Sequence, residues 1–282
     1  MVTKKILSLL LIISLSILPV SSVIAQEATD SAQMDSIEVF TKDRETARIA
    51  ELRILYINQV ELYRNSEKAY TIAKINFQQV QTLSALEEAV KATKLVMTER
   101  SKVLITYLEL LDTVLIETNG IELDLKNQSH TELTGLINAI KIHQDNIIVS
   151  NNRESMVLLS DEFEAIEFSF TSSVYKALSL TRIGKIQEVR DKSEIIKADI
   201  EDRNNSQDIS TSDNSKIKRA YIEIERNFDT VNKNLAELNE KFLEAKKDGY
   251  SRSFYEGVLS DLGPVYAQIS KSLDHLEELI TL

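Results

Sequence analysis

Apolar residues recur at helical spacing along almost the whole chain, and the clearest repeat lies near the C-terminus. Between positions 217 and 245 two sets of apolar residues alternate with a seven-residue period, the pattern of a coiled-coil seam. The two sets are Ile217, Ile224, Val231, Leu238 and Ala245, with Tyr221, Phe228, Leu235 and Phe242 between them. A stripe of similar length follows: Phe254, Val258, Leu262, Tyr266, Ile269, Leu273, Leu276 and Ile280. The sequence therefore predicts an antiparallel helical hairpin over residues 216–282.

Glycine, proline and helix-capping residues in this hairpin predict where its helices begin and end. Gly249 follows the first stripe and is expected to end that helix. Ser253 and Glu256 form a capping box, which predicts the start of the return helix. Pro264 falls inside the return helix and predicts a kink or a break, because proline donates no backbone hydrogen bond.

Residues 42–118 contain neither glycine nor proline. Two helices are predicted there, from about Lys42 to Gln81 and from about Ala85 to Thr118. Ser84 and Glu87 form a capping box between them, which favours a new helix start. One continuous helix is the alternative that the pattern leaves open.

A third helix is predicted to end at about Val149. Gly120 is expected to close the preceding helix in a left-handed conformation. The start of the third helix is open between Ile121 and the capping box formed by Ser129 and Glu132.

A long fourth helix is predicted from about Ser160 to Asp202, after a polar break at residues 150–152. Residues 204–215, rich in Asn, Ser and Asp, read as an exposed linker after this helix. The predicted inner face of the fourth helix consists of Phe163, Ile166, Phe170, Val174, Ala177, Ile186, Val189, Ile196 and Ile200.

These elements predict an all-α protein, an elongated helical bundle of about six helices. Residues 26–41 are expected to be disordered and residues 42–203 to form an N-terminal four-helix part. The long fourth helix is predicted to join that part to the C-terminal hairpin across the linker, where the three helices would form a three-helix bundle.

The first 25 residues have the pattern of an export signal. Lys4 and Lys5 precede an apolar run that Pro19 ends, and Val23 and Ala25 occupy the −3 and −1 positions of a cleavage site. Cleavage after Ala25 is expected, which would place the protein outside the cytoplasm, in the periplasm, in the envelope or secreted. An uncleaved membrane anchor is the alternative, and only in that case is a membrane expected as a partner.

The charge and the cysteine content restrict the partners of the exported chain. The 33 basic residues less Lys4 and Lys5 leave 31 against 44 acidic ones, a net charge of −13. Such a surface repels nucleic-acid phosphate, so no nucleic-acid partner is expected. The chain has no cysteine, so packing alone must stabilise it outside the cell.

No motif in the sequence indicates catalysis, a cofactor or a metal. The nucleophile-elbow, phosphate-loop and dinucleotide glycine patterns are missing. The histidines are His130, His143 and His275, and none has a glutamate three residues before it, as helical di-metal sites require. The predictions are therefore no enzyme, no cofactor and no metal.

Two features remain as candidate ligand-binding groups. Tyr56, Tyr63 and Tyr70 recur every seven residues on the first helix. One interpretation is a buried seam between helices, and the other is a row of aromatic rings that stacks on a ligand. Arg100 lies within the apolar stripe of the second helix. Its charge could be paired with a buried carboxylate, its stem could extend outward so that the guanidinium reaches solvent, or the guanidinium could bind an anion.

The sequence thus predicts an exported, non-enzymatic helical-bundle protein that acts as a binding or scaffolding module. Its expected partner is another protein or a second copy, reached through helical surfaces. The alternative is an extracytoplasmic small-molecule sensor or binding domain that holds a ligand between helices, near the tyrosines and Arg100. A deep pocket with converging polar groups would favour the sensor, and a filled core with an exposed apolar surface would favour the scaffold.

Overall fold

The protein is all-α, as the periodicity predicts. A computed structural model describes the backbone of residues 35–205, 211–245 and 249–281, and side-chain burial within residues 47–204, 215–245 and 249–281. Helices account for 94% of the described residues, and no strand occurs among them. The predicted export signal and cleavage site lie outside the described residues.

Six helices make up the described part of the chain. They are α1 (Asp35–Val80), α2 (Leu83–Glu117), α3 (Leu123–Val149), α4 (Arg153–Asn205), α5 (Thr211–Glu244) and α6 (Arg252–Thr281).

The described residues from Arg44 onwards form one compact unit, and residues 35–43 do not belong to it. Within this unit, α2, α3 and α4 pack against one another, and α5 packs against α6. Helix α4 also packs along α6 and meets α5 only over a short stretch. The predicted linker at residues 204–215 was wrong for residues 204, 205 and 211–215, which are helical, and residues 206–210 lie outside the described ones.

Helix α1 begins seven residues earlier than predicted, at Asp35 rather than about Lys42. The predicted disordered segment 26–41 was therefore wrong for residues 35–41. These residues are less regularly patterned, yet they contain no glycine or proline. Once a helix has formed, each further residue adds a hydrogen bond at little cost, so the helix extends through them.

The prediction of two helices rather than one over residues 42–118 is confirmed, but the cap lies at Thr82 and not at Ser84. Gln81 has a φ of 52° and ends α1. Thr82 is extended, and its side-chain oxygen accepts a hydrogen bond from the Ala85 amide at 3.3 Å. The chain reverses at Gln81, so the first suitable oxygen after the reversal caps the new helix.

Gly120 does not adopt the predicted left-handed conformation, because no described glycine has a positive φ. Helix α2 ends earlier, at Glu117, with Thr118 extended. A glycine is required at position 120 for space: a Cβ atom there would collide with the carbonyl oxygen of Gly184 on α4 and lie 2.8 Å from the Glu188 nitrogen. The α2–α3 connection thus crosses α4 backbone to backbone.

Helix α3 starts at Leu123, so of the two starts left open the earlier is correct. Ser129, the cap of the alternative, lies inside the helix and is 1% exposed.

Helix α4 starts at Arg153, seven residues before the predicted Ser160. The side chain of Asn152 accepts a hydrogen bond from the Ser155 amide at 2.8 Å, so the polar break supplies the cap.

The inner face of α4 is as predicted at Phe163, Phe170 and Ile200, but it was wrong at Val189 and Ile196. These two are 43% and 37% exposed. The buried positions in this half of α4 follow a seven-residue period instead: Ile186, Ser193 and Ile200. A serine therefore takes the place that an apolar residue was expected to hold, and its hydroxyl donates to the Val189 carbonyl.

The seam of the hairpin is buried as predicted. Ile224, Val231, Leu235 and Leu238 are each at most 3% exposed. The helices run antiparallel, because Phe242 near the end of α5 contacts Phe254 near the start of α6. At the other end, the three helices share one core cluster: Ile200, Ile217, Ala220, Ile224, Phe228, Leu276 and Leu279.

The predicted stripe of α6 was wrong at Tyr266, Leu273 and Ile280, which are 46%, 40% and 52% exposed. The prediction often stepped four residues at a time, which drifts around a helix of 3.6 residues per turn. The buried stripe alternates steps of three and four, as a coiled-coil face does. It consists of Tyr255, Val258, Leu262, Val265, Ile269, Ser272, Leu276 and Leu279.

Three details of the hairpin also differ from the prediction. Helix α6 continues without a break through Pro264, which is exposed, so the carbonyl that loses its partner lies on the solvent side. The N-cap is Ser251 and not Ser253, since the Ser251 hydroxyl accepts from the Phe254 amide at 3.3 Å. Helix α5 ends at Glu244, before Gly249.

Candidate functional site

Tyr56 and Tyr63 lie in the interface of α1 with its neighbours, 8% and 2% exposed. The Tyr56 ring is 5.8 Å from the ring of Tyr107 on α2. Tyr70 is half-buried, and the Lys74 ammonium lies 5.6 Å from its ring. The seam interpretation of the first two tyrosines is confirmed. The ligand-binding role of the three stays a prediction.

Arg100 is buried, 9% exposed, and its guanidinium carbon lies 3.8 Å from the ring centre of Phe163 on α4. The Nε and Nη2 atoms of Arg100 have no hydrogen-bond partner among the described residues. No described acidic side chain forms an ion pair with Arg100, and at 9% exposure its stem does not reach into solvent, so both alternatives that the sequence favoured were wrong. Stacking on an aromatic face is the contact that offsets part of the cost of burying this charge.

His143 on α3 completes the surroundings of this arginine. Its ring lies 5.4 Å from the Phe163 ring, and its Nε2 atom is buried with no hydrogen-bond partner in the described part of the chain. Burial and the nearby Arg100 charge lower the pKa of His143, while Glu162 opposes the shift. Burial and the neighbouring cation both favour the neutral form of the imidazole.

Tyr63, Arg100, His143 and Phe163 are referred to as the Arg100 cluster, with one residue from each of the helices α1 to α4. Burial raises the pKa of Tyr63, with Glu67 adding to the shift and Arg100 opposing it. Burial also lowers the pKa of Arg100, and Tyr63 and Glu167 oppose that shift. Of the predicted residues, the structure brings Tyr63 and Arg100 together and leaves Tyr70 apart.

The chemistry available in the Arg100 cluster is that of anion binding. A guanidinium keeps its charge at any physiological pH, and its unused N–H groups are donors for carboxylate or phosphate oxygen. Sequence reasoning missed His143, because a lone histidine with no ligand spacing gives no signal.

Substitution of His143 should change how stability depends on pH. Its pKa in the folded protein lies below the ordinary 6.5, so the unfolded chain takes up a proton near that pH before the folded chain does. The free energy of unfolding should therefore fall as the pH drops through 6.5 towards the folded-state pKa. In His143→Leu this part of the loss should be absent. Urea titrations of both proteins from pH 7.5 to 5 measure it, and identical slopes in the two proteins would contradict it.

Further polar groups, three tyrosine hydroxyls and one ion pair, are buried between the helices. The hydroxyls of Tyr107, Tyr175 and Tyr255 have no partner among the described residues, and burial raises the pKa of Tyr107 well above its ordinary value. Lys176 on α4, 5% exposed in its side chain, pairs with Glu132 on α3 at 2.8 Å. The Lys176–Glu132 pair joins α4 to α3, and the sequence pattern indicated neither this pair nor the buried hydroxyls.

An open cleft of about 560 Å³ lies at the turn between α1 and α2. Its lining is partly polar, and none of the predicted ligand-binding residues contributes to it. The lining residues are Phe77, Gln78, Gln81, Thr82, Leu83 and Leu86.

Over the described residues, no three His, Asp or Glu side chains come together as a possible metal site. None of the helices described here is both long enough and apolar enough to cross a lipid bilayer.

Comparison with models of protein families, with curated proteins and with solved structures finds no match to this chain. The structure itself defines the class: an all-α helical-bundle protein whose N-terminal helices enclose a cationic and aromatic cluster.

Proposed function

We propose that this is an exported, non-enzymatic helical-bundle protein that acts as a binding or scaffolding module in the cell envelope or outside the cell. The export signal supports the location, and the missing catalytic motifs support a role without chemistry. The binding surface is assigned to α1, and the partner is a polypeptide that covers it.

The observation that carries this proposal is the solvent side of α1. Seven large apolar side chains of this helix are exposed, more than on any other helix over the described residues. Four of them are isoleucines opposite the buried tyrosines, and they are 47–69% exposed: Ile54, Ile57, Ile72 and Ile75. Isolated apolar residues on a surface are ordinary, but a group of them on one helix face is typical of a protein-binding surface.

The Arg100 cluster favours a second candidate, a binding domain for an anionic small molecule. Three buried nitrogen atoms of Arg100 and His143 find no partner among the residues that the structure describes, and an anionic ligand between the helices would satisfy them. We rank it second, because the described cleft at the α1–α2 turn does not reach Arg100.

Site-specific crosslinking in the native host tests the main proposal. A photo-reactive amino acid would replace Ile57 or Ile72 in a chain tagged at its C-terminus. We expect covalent complexes with a polypeptide from both positions. The control is Ile222 on α5, which is equally accessible at 63% exposed but lies away from the α1 surface. It should give none.

The same material tests export. The intact mass of the uncrosslinked chain should correspond to a start at Gln26, whereas a full-length chain in the membrane fraction would support the anchor. Absence of complexes at positions 57 and 72 would reject the binding surface. Thermal stabilisation by an anionic small molecule that is lost in Arg100→Gln would instead favour the second candidate.

A further inference from the structure

The exposed side of α1 carries a palindromic pattern. Ile54, Ile57, Glu61, Lys68, Ile72 and Ile75 follow one another at intervals of 3, 4, 7, 4 and 3 residues. In a helix of 3.6 residues per turn these intervals place all six side chains on one narrow face. All six are exposed, and the face lies opposite the buried Leu52, Tyr56 and Tyr63.

The order of residue types on this face is what a two-fold axis requires. The six residues lie symmetrically about the bond between Arg64 and Asn65. If two copies of α1 run antiparallel across that point, Ile54 meets Ile75 and Ile57 meets Ile72 of the second copy. Glu61 meets Lys68 in the same arrangement, so the two charged residues of this face each meet an opposite charge.

We infer that two copies of this chain associate through the exposed face of α1 as an antiparallel, two-fold symmetric helix pair. The inference rests on the proposed binding function and names its partner. Two-fold interfaces bring the same surface patch of both subunits together, so self-complementarity is their signature. Steps of three and four are also those of residues that interlock between paired helices.

The outer face of α1 is open to a second helix, because all six of its residues are exposed and no other described helix covers them. On the inner side, α1 contacts the bundle through large side chains such as Tyr56, whose ring lies 5.8 Å from that of Tyr107. Among the described residues, no ion pair involves Glu61 or Lys68. Both remain available to the second copy.

Sedimentation of the purified chain without residues 1–25, over a wide concentration range, tests the inference. We expect a monomer–dimer equilibrium that Ile57→Glu and Ile72→Glu each weaken by about tenfold or more. Ile222→Glu, equally exposed but on α5, should leave it unchanged. Glu61→Lys and Lys68→Glu should each weaken the dimer by placing like charges together. The double variant should restore it, since the pair is then only reversed. Circular dichroism checks that each variant is folded.

A second measurement fixes the direction of the pair. The chain has no cysteine of its own, so Ile57→Cys and Ile72→Cys each introduce a single thiol. A short bis-maleimide should join a mixture of the two variants efficiently and each variant alone poorly. Efficient joining of Ile57→Cys to itself would mean parallel helices and would overturn the inference.

The outcomes separate this inference from the proposed function. A chain that stays monomeric, or a dimer that ignores all four substitutions on α1, overturns the inference. If position 57 or 72 still crosslinks to another protein in the host, the binding function stands with a different partner. If neither dimer nor crosslink forms, both are rejected.

Discussion

Leu235→Asp is expected to lower the free energy of unfolding by about 3–5 kcal/mol, because it removes a buried apolar side chain and leaves a carboxylate without a partner in the hairpin seam. Leu235 is 2% exposed, and its neighbours along the α5 seam, Val231 and Leu238, are apolar and buried. Urea denaturation followed by circular dichroism measures the change. The loss should be smaller at a pH where the new carboxyl group is protonated.

The control for this substitution lies two residues away on the same helix. Glu237 is exposed, with its side chain 65% accessible and the Lys233 ammonium at 3.9 Å. Glu237→Gln should change the free energy of unfolding by less than about 0.5 kcal/mol. Equal stabilities of the two variants would mean that the seam is open in the monomer.

Gly120→Ala is expected to destabilise the protein by about 1–3 kcal/mol, since a methyl group there collides with the backbone of α4. Flexible side chains can move aside, but the Gly184 carbonyl and the Glu188 amide nitrogen belong to a helix and cannot. Differential scanning calorimetry should show a lower unfolding temperature.

Gly135→Ala is the matched control. Gly135 lies in the interior of α3, is exposed, and has no atom within 4 Å of the position that a Cβ would take. The substitution should raise stability by about 0.5–1 kcal/mol, because alanine loses less backbone entropy than glycine in a helix. If both alanines raise the unfolding temperature, the close approach at Gly120 is wrong.

The sequence predicted the number and order of the helices well, because a seven-residue period persists over many turns and averages out local exceptions. The seam of α5 shows this best. Helix starts were less predictable where two candidate caps lie close together. Thr82 and Ser84 are two candidate caps of α2, and Ser251 and Ser253 are two candidate caps of α6. In both cases the side-chain oxygen of the first residue caps the helix. The choice between the two candidates depends only on where the chain reverses before the helix.

Side chains that face inward without being apolar were also difficult to predict. Ser193 and Ser272 are buried in stripes where isoleucine, valine or leucine was expected, since their hydroxyls donate to carbonyls of the preceding turn and thus need no other partner. An apolar pattern cannot distinguish such serines from exposed ones. The neighbouring apolar residues were therefore assigned to the wrong face.

At the candidate site, the sequence identified Tyr63 and Arg100 but not what joins them. Arg100 was conspicuous because a charge interrupts an apolar stripe, and Tyr63 because of its period. The stacking of Arg100 on Phe163 and the proximity of His143 depend on how α2, α3 and α4 are placed around one another. That placement depends partly on the approach of Gly120 to Gly184, which no periodicity encodes.

The pairing of α5 with α6 has a consequence for the order of folding. The two helices are neighbours in sequence and joined by a short connection, so bringing them together costs little loop entropy. Helices α4 and α6 are separated in sequence by the whole of α5, so forming their contacts first would require closing a much longer loop. The hairpin is thus expected to form early and to dock afterwards onto α4, where Ile200 meets the core that α5 and α6 have already built.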